Sequence, residues 1–211
     1  MGGWLEGGVK AYIGVTRCGK TTKAIADARV DAGRTRFPIV TLNLGASLSF
    51  SDQPHASCAD EVLYDVYVRR VHPKVWRPAG EAERWKFWKM VAHHGGVHVI
   101  VDEIKHIANS DKIEPAFAEA VTVWGHGKKG PAFYYVTAQR PSFINRDLHQ
   151  AFDKLYIFRV AKGVDAKRVH DEYGCGISCK DEPCELSPLL TPKFKRGQYV
   201  EVSLGFEDDA A

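Results

Sequence analysis

The chain has 211 residues, 45% of them hydrophobic, and its 29 basic residues nearly balance 26 acidic ones, for a formal net charge of +3. This length supports one well-buried core and is too short for two full domains. The weak net charge neither favours nor excludes a polyanionic partner, so any nucleic-acid surface must be local. No apolar run reaches the roughly 20 residues that a membrane helix needs, and five cysteines, an odd number, fit a reducing compartment. We therefore expect a cytosolic protein that is not transmembrane.

The first part of the chain reads as strand, loop, helix and strand. Residues 9–15 form an apolar run that predicts a strand ending in a glycine-rich turn, and residues 20–32 predict a helix that Gly33 would end. Residues 37–44 predict a second buried strand, after which a polar stretch continues to residue 59. A strand, a loop and a helix in this order are the context that a phosphate-binding loop requires.

The middle of the chain is less uniform. Residues 61–71 mix valine, tyrosine and arginine, so they fit either a strand or a helix, and two prolines break the segment that follows. Residues 81–93 predict a helix whose tryptophans and Phe87 belong in the core or in a subunit interface. Residues 97–101 predict a buried strand, and residues 115–124 a further helix.

The remaining signals continue the alternation. Residues 133–137 and 155–160 predict strands, residues 144–152 a helix, and residues 199–202 an edge strand. Strands that alternate with helices indicate an α/β fold with a mainly parallel sheet and helices on both faces. We assign residues 1–165 to this core and residues 166–211 to a C-terminal extension of the same domain. Ligands in such folds bind at the carboxyl ends of the strands.

Residues 14–21 read GVTRCGKT, which matches the phosphate-binding pattern G-x-x-x-x-G-K-[ST] without deviation. The glycines let backbone N–H groups turn toward phosphate at a helix N-terminus, and Lys20 reaches the β and γ phosphates. The Thr21 hydroxyl coordinates Mg²⁺. The predicted nucleotide-binding residues are Gly14, Val15, Thr16, Arg17, Cys18, Gly19, Lys20, Thr21 and Thr22.

Two adjacent carboxylates follow the strand over residues 97–101. Asp102 and Glu103 should emerge at the carboxyl end of that strand, level with the phosphate-binding loop if the two strands are parallel. Asp102 would then hold Mg²⁺, directly or in the second shell, and Glu103 would orient and polarise the attacking water as a general base. The sequence therefore predicts a hydrolytic nucleotide site, against the alternative of a solvated acidic pair.

Polar side chains also end the strand over residues 133–137. Gln139 is our candidate for a sensor that contacts the γ-phosphate or the water, although an ordinary loop glutamine would look the same. Arg140 and Arg146 lie nearby and could reach the nucleotide of a neighbouring subunit as an arginine finger. The alternative for each is a solvated or structural arginine.

Other nucleotide-binding classes fit less well. The chain lacks the guanine-reading N/T-K-x-D and the D-x-x-G switch of GTPases, so ATP is favoured over GTP. A small-molecule kinase deprotonates a bound hydroxyl and does not need to position a water molecule. The paired carboxylates and Gln139, which together would position water, are therefore not explained by a kinase. Hydrolysis of ATP is the better interpretation.

The ordered set of motifs resembles the FtsK/HerA superfamily. The resemblance covers roughly residues 9–160 and rests on GVTRCGKT, on the Asp102–Glu103 pair, and on GHGKKG, TAQRPS and DKLYIFR at residues 125–130, 137–142 and 153–159. Within that superfamily, the short chain is similar to the genome-packaging ATPases of membrane-containing icosahedral viruses with double jelly-roll capsids.

This resemblance implies a RecA-like P-loop core and ATP sites between the subunits of a homo-oligomeric ring, a hexamer by expectation. It also implies translocation of double-stranded DNA into a preformed capsid, with capsid or membrane-vertex proteins as further partners, in the host cytoplasm or at the virion vertex. The chain departs from the superfamily in two ways. Lys128 stands where arginine is frequent, so a finger role does not carry over to it, and we expect no added DNA-binding domain.

Loops that line the pore of the ring would then contact DNA, and the candidates are Lys128, Lys129 and the pair Arg69 and Arg70.

Two rival interpretations of the function remain open. One is a P-loop ATPase for secretion or filamentous-phage assembly, similar to zonula-occludens-toxin-like proteins, which usually carry a membrane helix. The other is a nucleotide switch or scaffold without turnover, against which Glu103 argues.

A cysteine cluster lies beyond the core. His170, Cys175, Cys179 and Cys184 are spaced H-x4-C-x3-C-x4-C and have the types and number of ligands of a tetrahedral zinc site. The spacing is irregular and contains no C-x2-C knuckle, so unconnected thiols in a surface excursion are the competing interpretation. The predicted cofactors are thus ATP and Mg²⁺, with zinc as the candidate for this cluster.

Overall fold

The structure, a computed structural model, describes residues 8–45, 50, 53–109, 111–122, 127–141, 144–145, 148, 150–160, 169 and 196–203. The strands are β1 (Gly8–Ile13), β2 (Ile39–Asn43), β3 (His55–Ala56), β4 (Val75–Trp76), β5 (Val97–Asp102), β6 (Ala132–Ala138), β7 (Lys154–Phe158) and β8 (Tyr199–Ser203). The helices are α1 (Lys20–Thr35), α2 (Ala59–Tyr64), α3 (Glu81–His94) and α4 (Pro115–Thr122).

The eight strands form one sheet in the order β3-β4-β2-β5-β6-β1-β7-β8. All neighbouring pairs are parallel except β7 and β8, which pair antiparallel from Phe158↔Tyr199 to Lys154↔Ser203. The prediction of a mainly parallel α/β sheet is confirmed, and β8 is the predicted edge strand. The carboxyl ends of β5, β6 and β1 therefore meet at one edge of the sheet.

The central strands β5 and β6 are buried along their whole length, because helices cover both faces of the sheet there. On one face, α1 packs Ala24 and Ala28 against Tyr12 and Tyr135 of the sheet. On the other, Phe87 and Trp88 of α3 and Phe117 of α4 are fully buried with Val99 and Val101 of β5. The predicted core position of the α3 aromatics holds for Phe87 and Trp88, whereas Trp85 is 55% exposed. This three-layer packing fixes the strand ends that carry the polar residues.

Some local predictions were wrong. Gly33 does not end α1, which continues to Thr35 and closes where Arg36, at φ 63°, donates its N–H to the Ala32 carbonyl. A glycine inside a helix costs about 1 kcal/mol, and burial of Ala24, Ala28 and Ala32 against the sheet outweighs that cost.

The segment over residues 61–71, which fitted either a strand or a helix, is helical. It begins within α2 and continues as one π-helical turn, Asp65–Arg69, that ends at Arg70 in the left-handed conformation. The two-residue strands β3 and β4, which extend the sheet beyond β2, were not predicted, because two residues carry no periodicity.

Of the helix predicted over residues 144–152, the structure describes residues 144–145, 148 and 150–152. Leu148 is α-helical, whereas the other described residues of this segment are not. Ile144, Leu148 and Ala151 each donate an N–H to the carbonyl three residues earlier. Several predictions fall outside the described residues. They concern Arg146, the boundary between residues 165 and 166, and the four predicted zinc ligands His170, Cys175, Cys179 and Cys184.

No helix in the described ranges is both long enough and apolar enough to cross a membrane.

Candidate nucleotide-binding site

A polar cleft of about 390 Å³ opens at the carboxyl ends of β1, β5 and β6. Its walls are the loop between β1 and α1, the ends of β5 and β6, and two segments distant in sequence. The lining residues are Thr16, Arg17, Gly19, Lys20, Thr21, Thr22, Gly45, Asp102, Glu103, Lys105, His106, Gln139 and Arg196. The residues predicted from two separate motifs are thus brought together in one cleft.

The β1–α1 loop is held to the sheet by its own backbone. The Gly14 N–H donates to the Ala138 carbonyl at 3.1 Å, and the Val15 N–H donates to the Arg159 carbonyl at 2.8 Å. Gly19, immediately before α1, has φ 107°, a left-handed conformation that favours glycine. The loop therefore turns sharply into the N-terminus of α1, where free backbone N–H groups attract anions.

Lys20 lies inside this loop and is only 6% exposed. Its ammonium donates to the Val15 carbonyl at 3.1 Å, which holds the charge at the mouth of the helix N-terminus. An ammonium has three N–H donors, so this contact leaves donors available for an anion in the cleft. The position is the one that the sequence motif predicts.

A hydrogen-bond chain joins the loop to the ends of β5 and β6. The Thr21 hydroxyl donates to Asp102 Oδ1 at 2.9 Å, and the Thr137 hydroxyl donates to the same oxygen at 3.0 Å. Thr137 in turn accepts the backbone N–H of Glu103 at 3.0 Å. Three elements are thereby locked in one arrangement around the Asp102 carboxylate, which is 1% exposed.

Glu103 has an unusual backbone conformation. Its φ of 64° and ψ of 68° are left-handed, which costs a non-glycine residue about 1–2 kcal/mol. Gln139 Nε2 donates to Glu103 Oε1 at 2.9 Å, and Gly45 lies so close that an added Cβ would stand 2.6 Å from Glu103 Cγ. The close glycine, the Thr137 bond and the Gln139 bond hold this carboxylate in the cleft despite the strain.

Two buried carboxylate oxygens remain without a hydrogen-bond partner among the described residues, Asp102 Oδ2 and Glu103 Oε2. A buried unpartnered carboxylate oxygen is costly and marks a place for a cation, a water or a reacting proton. Thr21 gives its only proton to Asp102, so the lone pairs of its hydroxyl oxygen are free for a metal. Oxygen ligands of these types suit Mg²⁺, so Thr21 and Asp102 fit the predicted magnesium site.

Not every residue of the predicted loop faces the cleft. Gly14, Val15 and Cys18 are absent from the lining, and the Cys18 side chain packs in the core beside Phe158. Burial raises the pKa of the Cys18 thiol, so it is not an activated nucleophile. These three residues shape the path of the loop, while Thr16, Arg17, Gly19, Lys20, Thr21 and Thr22 line the cleft.

Five lining or supporting residues were given no role of their own in the sequence analysis: Gly45, Lys105, His106, Thr137 and Arg196. Lys105 and His106 follow Glu103 in a short 3₁₀ turn, a position that the strand-end signal could have suggested. Partial burial lowers the pKa of His106, and the nearby Lys105 charge adds to the decrease. No local pattern marks Arg196, which lies more than 170 positions from the loop that it approaches.

The basic candidates lie at the opposite edge of the sheet. A groove of about 600 Å³, lined in part by Arg29, Arg36, Arg70 and His72, opens beside Phe37 at the start of β2. The turn that carries Lys128 and Lys129 adjoins it, because Lys129 Nζ donates to the Tyr67 carbonyl at 3.1 Å and Gly130 packs against Phe37. We refer to Arg29, Arg36, Arg70, His72, Lys128 and Lys129 as the basic surface. Three of the four predicted DNA-contact residues therefore belong to one surface.

Arg69 and Arg140 are placed differently. Arg69 lies next to the basic surface, 3.3 Å from Asp65, with 63% of its side chain exposed. Arg140 is exposed directly after Gln139 and is not among the cleft-lining residues.

The chain matches no protein-family model and no curated protein. Among solved structures, it resembles the genome packaging NTPase B204 of Sulfolobus turreted icosahedral virus 2, solved in complex with ATP-gammaS, with a TM-score of 0.70 over 94% of this chain and 93% of B204 at 15% identity.

A crystal structure of B204 described as the DNA-packaging ATPase of Sulfolobus turreted icosahedral virus gives a TM-score of 0.57 at 16% identity, over 78% of this chain and 81% of that one. The N-terminal domain of the zonular occludens toxin of Neisseria meningitidis is more distant, with a TM-score of 0.44 at 14% identity, over 76% of this chain and 81% of that domain. The B204 similarity shows that the fold is that of a P-loop NTPase.

Proposed function

We propose that this protein hydrolyses ATP in the cleft between the β1–α1 loop and the ends of β5 and β6. The observation that carries the proposal is the hydrogen-bonded array that joins Thr21, Asp102 and Thr137 and places Glu103 beside Gln139. A simple anion site would need only the helix N-terminus and Lys20. The carboxylates and the glutamine add the parts that water activation requires.

The substrate end of the site consists of Lys20, Thr21 and the free N–H groups at the start of α1. Lys20 would exchange its contact with the Val15 carbonyl for the β and γ phosphates. Thr21 and Asp102 would hold Mg²⁺, which when bound neutralises charge on the phosphate oxygens. The Asp102 carboxylate keeps its orientation through its contacts with Thr21 and Thr137.

The water end of the site consists of Glu103 and Gln139. Glu103 Oε1 is occupied by the Gln139 amide, whereas Oε2 has no partner among the described residues. Oε2 is therefore the oxygen that would accept the proton of the attacking water, while Gln139 fixes the plane of the carboxylate. A nucleotide switch without turnover would not need this second oxygen, so the array favours hydrolysis over the switch interpretation.

Substitution of Glu103 by glutamine tests this division of labour. Glu103→Gln keeps the shape of the side chain and removes the base, so we expect ATP binding within about threefold of the wild type and a kcat at least about 100-fold lower. Lys20→Ala should instead weaken ATP binding itself, because it removes the charge that meets the phosphates. Phosphate release and equilibrium binding of a fluorescent ATP analogue separate the two effects.

Glu81→Gln and Lys112→Ala provide matched controls, since both side chains are exposed and neither lines the cleft. Both should behave as the wild type. Wild-type turnover in Glu103→Gln would contradict the assignment of the base, and unchanged binding in Lys20→Ala would contradict the site.

We further propose that hydrolysis drives translocation of double-stranded DNA, in the packaging of a viral genome. The support is the fold similarity to the packaging NTPase B204 together with the basic surface of this chain. Arg29, Arg36 and Arg70 form no ion pair with any described residue, so their charges are available to an external polyanion. A motor that moves along a whole genome must contact phosphates without regard to sequence, and arginine is well suited to that contact.

The histidine of the basic surface is arranged for the same purpose. His72 Nδ1 accepts the backbone N–H of Ile39 at 2.9 Å, so in the neutral ring the proton is on Nε2 and can be donated outward. A ring of subunits, with Arg140 or Arg146 reaching the neighbouring ATP, is part of this proposal. Secretion or filament assembly remains the alternative function, and a lack of any DNA effect on turnover would favour it.

A further inference from the structure

The turn that precedes β8 lies directly on the phosphate-binding loop. The Gly197 N–H donates to the Cys18 carbonyl at 2.9 Å, and a Cβ added to Gly19 would stand 3.4 Å from Gly197 Cα. Gly197 has φ 86°, which favours glycine and directs the chain back toward β8. Arg196, the residue before it, lines the cleft.

This turn is anchored by the strand that follows. β8 pairs with β7 along its whole length, and the Tyr199 ring lies 5.4 Å from the Tyr156 ring and 5.3 Å from the Phe158 ring. The Lys23 ammonium of α1 lies 5.3 Å from the Tyr199 ring centre and 4.7 Å from that of Tyr156. The C-terminal strand is thereby fixed both to the sheet and to α1, and Arg196 is presented at a defined place.

The sheet order gives the cleft a direction. Asp102, Glu103 and Gln139 stand at the ends of β5 and β6, on one side of β1, and Arg196 approaches from β8, on the other side. A triphosphate whose γ-phosphate lies at the carboxylates must extend across the β1–α1 loop toward β7 and β8. The end of the cleft beside Arg196 is therefore where the α-phosphate and the nucleoside would lie.

We propose that Arg196 forms the subsite for the nucleoside monophosphate end of the nucleotide, within the same subunit. This inference rests on the proposed ATP site. A guanidinium offers N–H donors for an α-phosphate and a flat face for a purine ring, and both contacts are the same in ATP and ADP. Arg196 is thus a substrate-binding residue, separate from the groups that act on the γ-phosphate and from any arginine supplied by a neighbouring subunit.

Arg196→Ala tests the subsite through a split between binding and turnover. The contact between Arg196 and the nucleotide would be the same in the ground state and in the transition state. We therefore expect the Kd of ATP, the Kd of ADP and the KM for ATP to rise by about tenfold each in this variant. The kcat should stay within about twofold of the wild type. Isothermal titration and steady-state phosphate release measure the two quantities. Arg77→Ala is the matched control, since Arg77 is exposed and lies outside the cleft lining, and it should leave both unchanged.

Two results would overturn the inference. Unchanged affinity for both nucleotides would mean that Arg196 does not contact the ligand. A fall in kcat at constant KM would mean that it acts on the γ-phosphate instead. Failure of the proposed function itself has another signature, because wild-type protein would then neither bind ATP nor release phosphate, whatever residue stands at position 196.

Discussion

At the scale of single residues, the carboxylates of the cleft differ in what surrounds them. Asp102 is held by two hydroxyl donors on one oxygen, from Thr21 and Thr137, an arrangement that suits a fixed metal ligand. Glu103 is held by one amide and by its strained backbone, with one oxygen left open. The two adjacent carboxylates thus have different surroundings, and these surroundings are the basis for the different roles proposed for them.

The Gln139 contact gives a prediction about rate. Gln139→Ala removes the amide that orients Glu103 Oε1, so the base samples unproductive orientations, while the residues around Lys20 and Thr21 are untouched. We expect kcat to fall by roughly 10- to 100-fold with little change in KM, as measured by phosphate release. Gln53→Ala, at an exposed glutamine away from the cleft, should leave turnover unchanged.

An increase in KM with constant kcat for Gln139→Ala would mean that Gln139 binds substrate and does not orient the base. Equal behaviour of the two alanine variants would remove Gln139 from the site altogether.

At the scale of secondary structure, α1 is tied to the sheet by a polar network far from the cleft. Lys10 and the Tyr135 hydroxyl both donate to Asp31 of α1, at 2.6 and 2.7 Å, and the Thr35 hydroxyl lies 2.7 Å from His98 Nε2. His98 Nδ1 is 2.9 Å from the Tyr135 hydroxyl, and the imidazole is fully buried. This network therefore fixes on the sheet the helix that carries Lys20 and Thr21.

The buried imidazole predicts how stability depends on pH. Burial lowers the pKa of His98 from 6.5 to about 4. Between about pH 6.5 and pH 4 the unfolded chain takes up a proton here and the folded protein does not, so stability falls as the pH decreases and is unaffected by this group at higher pH. The shift corresponds to about 3 kcal/mol of unfolding free energy lost by pH 4.

Urea unfolding of the wild type and of His98→Gln at several pH values measures this effect. The variant should be less stable near pH 7.5 and should lose about 3 kcal/mol less than the wild type on acidification. His55→Gln, at an exposed histidine, should retain the wild-type pH dependence. Parallel pH profiles for the wild type and His98→Gln would show that His98 is not the group responsible.

The sequence was most informative where a pattern is local. The G-x-x-x-x-G-K-[ST] motif and the apolar run into Asp102 each lie within a few residues, and the structure brings their residues together in one cleft. Thr137 was not singled out, because a threonine inside a strand has no distinguishing pattern, although it carries two hydrogen bonds of the site. Arg196 and Gly45 reach the cleft only through the order of strands in the sheet, which a single sequence does not specify.

At the scale of the whole molecule, the two proposed ligands lie at opposite edges of the sheet. The nucleotide cleft is at the carboxyl ends of β1, β5 and β6, and the basic surface is near the starts of β2 and β6. β2, β5, β6 and β1 are adjacent parallel strands that run from one edge to the other between the two buried clusters that cover the sheet. Because the net charge is only +3, the local arginines would be the main source of attraction for the proposed DNA.

The measurement that tests the central claim most directly is ATP turnover with and without linear duplex DNA at low and high salt. The wild-type rate should rise with duplexes of unrelated sequence and less with single strands, and the stimulation should fall steeply with salt, because the contacts are to phosphates. Arg36→Glu combined with Arg70→Glu should keep the basal rate and lose the stimulation, whereas Arg77→Glu should keep both. A wild-type rate that duplex DNA leaves unchanged, at protein concentrations where rings are seen, would contradict a DNA-translocating motor.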